Sequence, residues 1–185
     1  IDFIPVYEKS GLISRLDRYI WEQAAAKLGE WKKAGINMSI SVNISPKDFY
    51  YIDIFNTFAG LIKKYDIEPS NLKIEITETA IMSDVPNLTG ELEKLRKAGF
   101  TIEMDDFGSG YSSLNTLKDI NVDVLKVDMG FIKETKNVKK SRIILASVIK
   151  MAKELNLLII TEGVETEGAH TVTCFLFQFK KQITS

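Results

Sequence analysis

The chain has 185 residues, of which 45% are hydrophobic and 26% charged, and its 24 basic and 25 acidic residues leave a net charge of −1. Such a composition is that of an ordinary globular domain, which excludes a disordered or fibrous protein. The balanced charge excludes the electrostatic footprint of a protein that binds a nucleic-acid polymer or an anionic membrane, and no apolar run is long enough to span one. The single cysteine, Cys174, is typical of a reducing compartment, so we expect a cytoplasmic protein.

Helix-like and strand-like segments alternate along the chain, and this alternation predicts an α/β fold with a parallel sheet. The predicted elements are, in chain order, a helix over 12–33, a strand over 38–44, a helix that begins at Ser45, a strand over 72–77, a helix over 83–98, strands over 100–105 and 122–127, a helix over 141–155 and a strand over 157–161. No linker or repeat interrupts them, so we predict one domain over 1–185.

Local signals suggest where two helices start and which face of a third is buried. Ser45 followed by Pro46 predicts an N-cap and a first helical residue, and Ser83 is predicted to cap the next helix. In the helix over 141–155, the helical spacing of apolar residues predicts a core-facing stripe made of Ile144, Val148, Met151 and Leu155.

Polar or ionisable side chains stand at the end of each of the five predicted strands. They are Asn43, Glu75, Asp105 with Asp106, Lys126 and Glu162. One such residue alone is typical of a solvated strand end. Five in succession indicate a functional site, because active sites of βα barrels and open parallel sheets lie at the carboxyl ends of the strands.

The acidic residues of this set predict a bound cation. Two carboxylates about 4 Å apart repel each other by roughly 4 kcal/mol at an effective dielectric constant of 20. The candidate ligands are all oxygens, which favours Mg²⁺ or Mn²⁺ over Zn²⁺, and the adjacent Asp105 and Asp106 could serve two ions, as in phosphodiester hydrolysis. Lys126 is then a candidate point charge for a phosphate or for the attacking water, and Glu162 a candidate general base or further ligand.

Several short segments at these positions form a recognisable series. They are, in chain order, Phe3-Ile4-Pro5 with Ser10-Gly11-Leu12-Ile13, Val42-Asn43-Ile44-Ser45, Glu75-Ile76-Thr77-Glu78, Asp105-Asp106-Phe107-Gly108-Ser109-Gly110-Tyr111-Ser112-Ser113, Leu125-Lys126-Val127-Asp128 and Glu162-Gly163-Val164-Glu165. Over 1–167 the chain thus resembles the EAL family of cyclic di-GMP phosphodiesterases. The resemblance implies a TIM-barrel-like (β/α) fold, incomplete in this chain because a closed barrel takes eight strands and about 250 residues.

The resemblance also implies roles for individual residues. Metal ligands would be Asn43, Glu75, Asp105 and Asp106, with Mg²⁺ or Mn²⁺ as the cofactor and two ions in the complete domain. Lys126 and Glu162 would orient or deprotonate the water that opens cyclic di-GMP to linear pGpG. Glu78 would anchor the loop after the third strand, Asp128 would be a pocket acid and Glu165 a second supporting acid. The gate loop would comprise Phe107, Gly108, Ser109, Gly110 and Tyr111.

The chain departs from the family pattern at three points. The Glu-Ala-Leu motif, which carries a metal-binding glutamate, would lie before Ile1, and the closing glutamine-glycine-aromatic motif is not found in the atypical tail over 168–185. Glu103 stands where the family has a small residue. It shares strand parity with Asp105, as Lys73 does with Glu75, so we predict that Lys73 and Glu103 form an ion pair inside the barrel.

Three alternatives stay open beside the phosphodiesterase hypothesis. One is a non-catalytic receptor or regulatory module that binds cyclic di-GMP or a partner domain. Another is a parent enzyme from which this particular chain is an inactive piece, and the third is a barrel enzyme of another chemistry. The resemblance further implies cyclic di-GMP as the partner, a homodimer that couples the gate loop to activity, and attached sensory or diguanylate cyclase domains.

Overall fold

The structure is a computed structural model that describes residues 4–83, 87–108, 117–118, 120–128 and 138–162. Its centre is a five-stranded parallel sheet in the order β1-β2-β3-β4-β5. The strands are β1 Ile40–Asn43, β2 Leu72–Thr77, β3 Ile102–Phe107, β4 Val124–Asp128 and β5 Leu158–Glu162. The predicted α/β fold with a parallel sheet is therefore confirmed.

Helices precede, connect and flank these strands. They are α1 Ile4–Ser10, α2 Ile13–Lys33, α3 Asp48–Tyr51, α4 Ile54–Tyr65, α5 Glu78–Met82, α6 Leu88–Lys97 and α7 Val138–Glu154, with a 3₁₀ turn at Pro69–Asn71. Each strand pairs with the next one along the chain, and the order never reverses. This is the strand order of a barrel wall, whereas a doubly wound sheet changes direction part-way. No helix among the described residues is long and apolar enough to cross a bilayer.

The two faces of the sheet carry opposite chemistry. On β2 the residues Leu72, Ile74 and Ile76 are fully buried, while Lys73, Glu75 and Thr77 between them are half-buried. The apolar face packs against the helices, where the fully buried rings of Trp21 and Phe58 lie 4.9 Å apart. Because side chains alternate along a strand, this packing places the charged residues on the inner face of the sheet.

Most element boundaries agree with the sequence prediction to within a few residues, and two helix starts were wrong. The strand over 72–77 is β2 without change. The helix after β1 begins at Asp48, not directly after Ser45, although the Ser45 hydroxyl still accepts a hydrogen bond from the Lys47 amide at 3.3 Å. Ser83 caps no helix start, because its hydroxyl donates back to the Ala80 carbonyl at the end of α5.

The buried face of α7 also differs from the prediction. Val148 and Met151 pack partly against the core, but Ile144 and Leu155 are 44% and 51% exposed. The buried stripe is made of Leu145, Ile149 and Ala152. Consecutive apolar residues at 143–145 allow two overlapping stripes with helical spacing, and only packing against the sheet selects one of them.

Asp48 is an acid that the fold buries completely. Its Oδ2 accepts a hydrogen bond from the Ser45 amide at 2.8 Å. Its Oδ1 and the nearby Ser14 hydroxyl are the buried side-chain atoms that have no hydrogen-bond partner within the described residues. Burial raises the pKa of Asp48, and the neighbouring polar groups of Ser14, Ser45 and Asp17 only partly oppose this shift. The fold therefore holds a carboxyl group that favours its protonated form.

We expect Asp48→Asn to stabilise the protein at neutral pH. The amide oxygen can still accept the Ser45 hydrogen bond, and the buried carboxylate at this position is removed, so the free energy of unfolding rises by about 1 kcal/mol and Tm by roughly 2–4 °C. Because the folded-state pKa of Asp48 is raised, wild-type stability falls as the pH rises from the ordinary Asp value of about 3.9 to the folded value.

The gain from Asp48→Asn is therefore largest at pH 7 and smaller at pH 3, which thermal melts followed by circular dichroism at both pH values can measure. Asp66→Asn is the matched control, because Asp66 is 93% exposed. An equal gain at both pH values would show that the charge of Asp48 is not the cause.

Candidate active site

Three charged side chains from neighbouring strands meet on the inner face of the sheet, at the carboxyl ends of the strands. The ammonium Nζ of Lys126 on β4 lies 2.9 Å from Oε1 of Glu75 on β2 and 3.4 Å from Oδ1 of Asp105 on β3. The lysine and glutamate side chains are only 9% and 12% exposed, and that of Asp105 is 19% exposed. One buried ammonium group thus bridges two carboxylates.

A bulge in β3 sets the position of the two adjacent aspartates. Met104 pairs with Leu125 and Phe107 with Val127, so Asp105 and Asp106 together lie opposite the single residue Lys126. Asp106 adopts a left-handed backbone with φ of 56°, and its amide donates to Oδ1 of Asp105 at 2.9 Å. The bulge lets both Met104 and Phe107 point into the core, although three positions separate them.

Asn43 stands beside Glu75 at the end of the neighbouring strand. The two residues are register partners in the β1–β2 pair, and the amide of the following Ile44 donates to the Glu75 carbonyl at 2.9 Å. The backbone carbonyl of Asn43 accepts a hydrogen bond from the indole Nε1 of Trp21 at 2.9 Å. Sequence reasoning missed this role of Trp21, for which the only signal is that a buried indole N–H needs an acceptor.

Glu78 has a different place from the other acids. It is the first residue of α5, it is fully buried, and its Oε2 accepts a hydrogen bond from the backbone amide of Gly108 at 3.0 Å. Gly108 has φ of 99°, a backbone conformation that a residue with a side chain rarely adopts. This contact ties the end of β3 to the start of α5.

A second charged layer lies one step deeper in the sheet, and it confirms the predicted ion pair. Nζ of Lys73 lies 2.9 Å from Oε1 of Glu103, whose side chain is 1% exposed. The Ser41 hydroxyl donates to the other carboxylate oxygen of Glu103 at 2.9 Å. Ser41 was not predicted as part of this layer, although it shares strand parity with Asn43.

The surroundings of Glu75 favour its neutral form. Burial raises the pKa of the Glu75 carboxyl, and the negative charges of Asp105 and Glu103 add to this shift. The hydrogen bond and the positive charge of Lys126 lower the pKa and oppose the burial effect. The net result is a raised pKa, so burial has the larger effect on the Glu75 carboxyl.

The remaining predicted site residues are only partly described. Phe107 is the last residue of β3 and is buried in the core, so the loop begins at Gly108 and not at Phe107. The backbones of Asp128 and Glu162 are register partners at the ends of β4 and β5. Their side chains lie outside the described residues, and so do all atoms of Ser109, Gly110, Tyr111 and Glu165.

Glu75 and Asp105 fit a divalent cation on the evidence of their own geometry. Two buried carboxylates converge on one positively charged atom, and all nearby candidate donors are oxygens, which Mg²⁺ and Mn²⁺ prefer. Within the described residues no three acidic, histidine or cysteine side chains group closely enough to hold a metal. The set would therefore need neutral donors such as the Asn43 side chain, or further acids from elsewhere.

The sequence of the whole region matches one known family. The model of the EAL domain family matches residues 1–172. This chain belongs to the EAL domain family. The match extends five residues beyond Glu167, where the resemblance in motifs ends, and it covers all the strand-end residues described above.

Curated relatives include known signalling enzymes. This EAL chain is 35% identical over 167 residues to the bifunctional diguanylate cyclase/cyclic di-GMP phosphodiesterase MucR of Pseudomonas aeruginosa, covering 90% of the chain and 24% of MucR. It is 30% identical over 166 residues to the cyclic di-GMP phosphodiesterase PdeR of Escherichia coli, covering 90% of the chain and 25% of PdeR. The chain therefore spans about a quarter of the length of these relatives.

Solved structures of EAL domains confirm the TIM-barrel-like fold. The MucR phosphodiesterase in complex with cyclic di-GMP superposes with a TM-score of 0.84 at 34% identity, over 94% of this chain and 71% of that one. The manganese and cyclic di-GMP complex of BlrP1 from Klebsiella pneumoniae has a TM-score of 0.76 at 26% identity, over 88% of this chain and 41% of that one. The five described strands correspond to an incomplete barrel of this kind.

The contact between Glu78 and Gly108 can be tested by hydrogen exchange. We expect Glu78→Ala to speed exchange of the Gly108 amide proton by about tenfold or more, because a buried hydrogen bond that is lost costs about 1–3 kcal/mol. Mass spectrometry or NMR can measure this exchange at a pH where both proteins are folded. Glu68→Ala, which removes a glutamate that is 68% exposed, is the control and should leave the Gly108 amide unchanged. Unchanged exchange in Glu78→Ala would contradict the anchoring role.

Proposed function

We propose that this EAL domain is a divalent-metal-dependent phosphodiesterase that hydrolyses cyclic di-GMP to linear pGpG. The observation that carries the proposal is the bridge from Lys126 to Glu75 and Asp105, since it shows a buried, charged, hydrogen-bonded site at the carboxyl ends of parallel strands. Its relatives MucR and PdeR are named as cyclic di-GMP phosphodiesterases, and the similarity to them includes this site.

The metal ligands in this proposal are Asn43, Glu75, Asp105 and Asp106. When bound, Mg²⁺ or Mn²⁺ would neutralise these acids and polarise the phosphate and the attacking water. The manganese in the BlrP1 complex with cyclic di-GMP supports a divalent ion of this type. The bulge supports the participation of both aspartates, because it places Asp105 and Asp106 together against one residue of β4.

Lys126 and Glu162 would act on the substrate and on water. The Lys126 ammonium contacts two carboxylates, which restricts its position, and its positive charge would attract a phosphate oxygen or the attacking water. Glu162 follows at the end of β5, the strand next to Lys126, and would accept the proton that the water loses. The leaving 3′ oxygen of the ribose would take up a proton as the ring opens to pGpG.

Residues around the metal ligands, Lys126 and Glu162 would have supporting roles. Glu78 holds Gly108 and with it the start of the loop that contains Ser109, Gly110 and Tyr111. In the proposal this loop is a gate, Asp128 is a pocket acid beside Glu162, and Glu165 is a second support. A homodimer and attached sensory or diguanylate cyclase domains belong to the same proposal, and the bifunctional MucR supports the latter.

The decisive experiment measures turnover of cyclic di-GMP by the chain with added Mn²⁺ or Mg²⁺, with pGpG detected by chromatography. We expect Lys126→Met to lower the rate by roughly 10²–10³-fold, because it removes a charge aimed at the reacting phosphate. Glu75→Gln should weaken Mn²⁺ binding, since it removes a negatively charged ligand.

Lys94→Met is the matched control, because Lys94 pairs with Glu91 on the outer helix α6 and should leave turnover unchanged. Binding of cyclic di-GMP without any hydrolysis in the presence of either metal would favour the non-catalytic receptor instead. Equal rates for Lys126→Met and the wild-type chain would contradict the role of Lys126.

A further inference from the structure

The deeper charged layer contains a lysine with two acidic neighbours. Lys73 and Glu75 lie on the same face of β2, two residues and about 7 Å apart along the strand. Glu75 and Glu103 are register partners in the β2–β3 pair, so these two acids stand side by side on neighbouring strands, and Glu75 follows Lys73 by two residues. The ammonium of Lys73 lies 2.9 Å from Glu103, which also accepts a hydrogen bond from Ser41.

The pairing of Lys73 with Glu103 affects the candidate metal site at Glu75. Glu75 already accepts a hydrogen bond from the Lys126 ammonium at 2.9 Å. If Lys73 turned toward Glu75, two ammonium groups would share that carboxylate, and its negative charge would no longer be available to a metal ion. The flexible four-carbon stem of lysine allows such a turn, so the position of Lys73 depends on which carboxylate holds it.

We propose that Glu103 is a positioning residue that holds the Lys73 ammonium away from Glu75 and thereby keeps Glu75 available for the catalytic cation. The inference rests on the proposed function in that it takes Glu75 as a metal ligand. Glu103 itself lies two residues before Asp105 on β3, level with Glu75 in the strand register, and the Ser41 hydroxyl donates to its second carboxylate oxygen. It acts on the metal site through Lys73.

A purely structural ion pair makes a different prediction from this proposal. If the ion pair only supported the fold, removing Lys73 and removing Glu103 would change the Mn²⁺ affinity of the Glu75 site in the same direction. In our proposal the two single variants affect the Mn²⁺ affinity differently. Glu103→Gln lowers the affinity because it releases a competing cation toward Glu75, whereas Lys73→Met does not lower it because it removes that cation.

The test is a calorimetric titration with Mn²⁺ of the wild-type chain, Glu103→Gln, Lys73→Met and the double variant. We expect Glu103→Gln to weaken Mn²⁺ binding by about tenfold. Lys73→Met should bind Mn²⁺ at least as tightly as the wild type, and the double variant should return to the wild-type affinity. Glu91→Gln is the matched control, because it breaks a lysine–glutamate pair on the outer helix α6 and should change nothing.

Thermal melts of all variants show whether each one folds, and the double variant, which leaves no unpaired charge, keeps the test valid if Glu103→Gln unfolds. Wild-type affinity in a folded Glu103→Gln, or equal losses in both single variants, would overturn the inference. A double variant that binds Mn²⁺ as weakly as Glu103→Gln would also overturn the inference.

A readout without metal separates this inference from the proposed function. In a crystal structure of metal-free Glu103→Gln, we expect the Lys73 ammonium within hydrogen-bonding distance of Glu75, and a Lys73 side chain still directed at residue 103 would overturn the inference. If the wild-type chain binds no Mn²⁺ but Lys73 moves in this variant, the proposed function fails and the positioning by Glu103 stands.

Discussion

The compensation of negative charge on the inner face of the sheet is the constraint on which the rest of this site depends. Glu75, Asp105 and Glu103 lie on two neighbouring strands of one parallel sheet, and their charges repel at short range. Lys126 contacts Glu75 and Asp105, and Lys73 pairs with Glu103. Each of these acids therefore has an ammonium group from the same sheet next to it.

The apolar outer face makes this arrangement possible. Buried residues on alternate positions of β2 and β3 pack against the helices. The side chains at the intervening positions therefore point to the inner face of the sheet. The bulge at Asp105 and Asp106 then shifts the alternation by one residue, so that Phe107 returns to the core. Core packing and site geometry are thus set by the same backbone feature, and the loop after Gly108 starts from a fixed point held by Glu78.

Much of the fold and of the site follows from local patterns. β2 matches its predicted bounds, and the inward parity of Glu75, Lys73 and Glu103 was sufficient to predict the ion pair that the structure confirms. The predicted start of α3 and the predicted buried face of α7 were wrong. A serine N-cap signal and a helical spacing of apolar residues can each be satisfied by more than one set of positions. Trp21 and Ser41 were missed, since their partners come from other parts of the chain.

By itself the sequence determined the parallel α/β class, the polar residue at each strand end and the membership of the EAL domain family, because the alternation of side chains and short motifs are properties of adjacent residues. Only the tertiary structure decided the bulge opposite Lys126 and the choice of Glu75 and Asp105 as partners of that lysine. Those depend on the register between strands far apart in the chain, and strand parity contains no information about register.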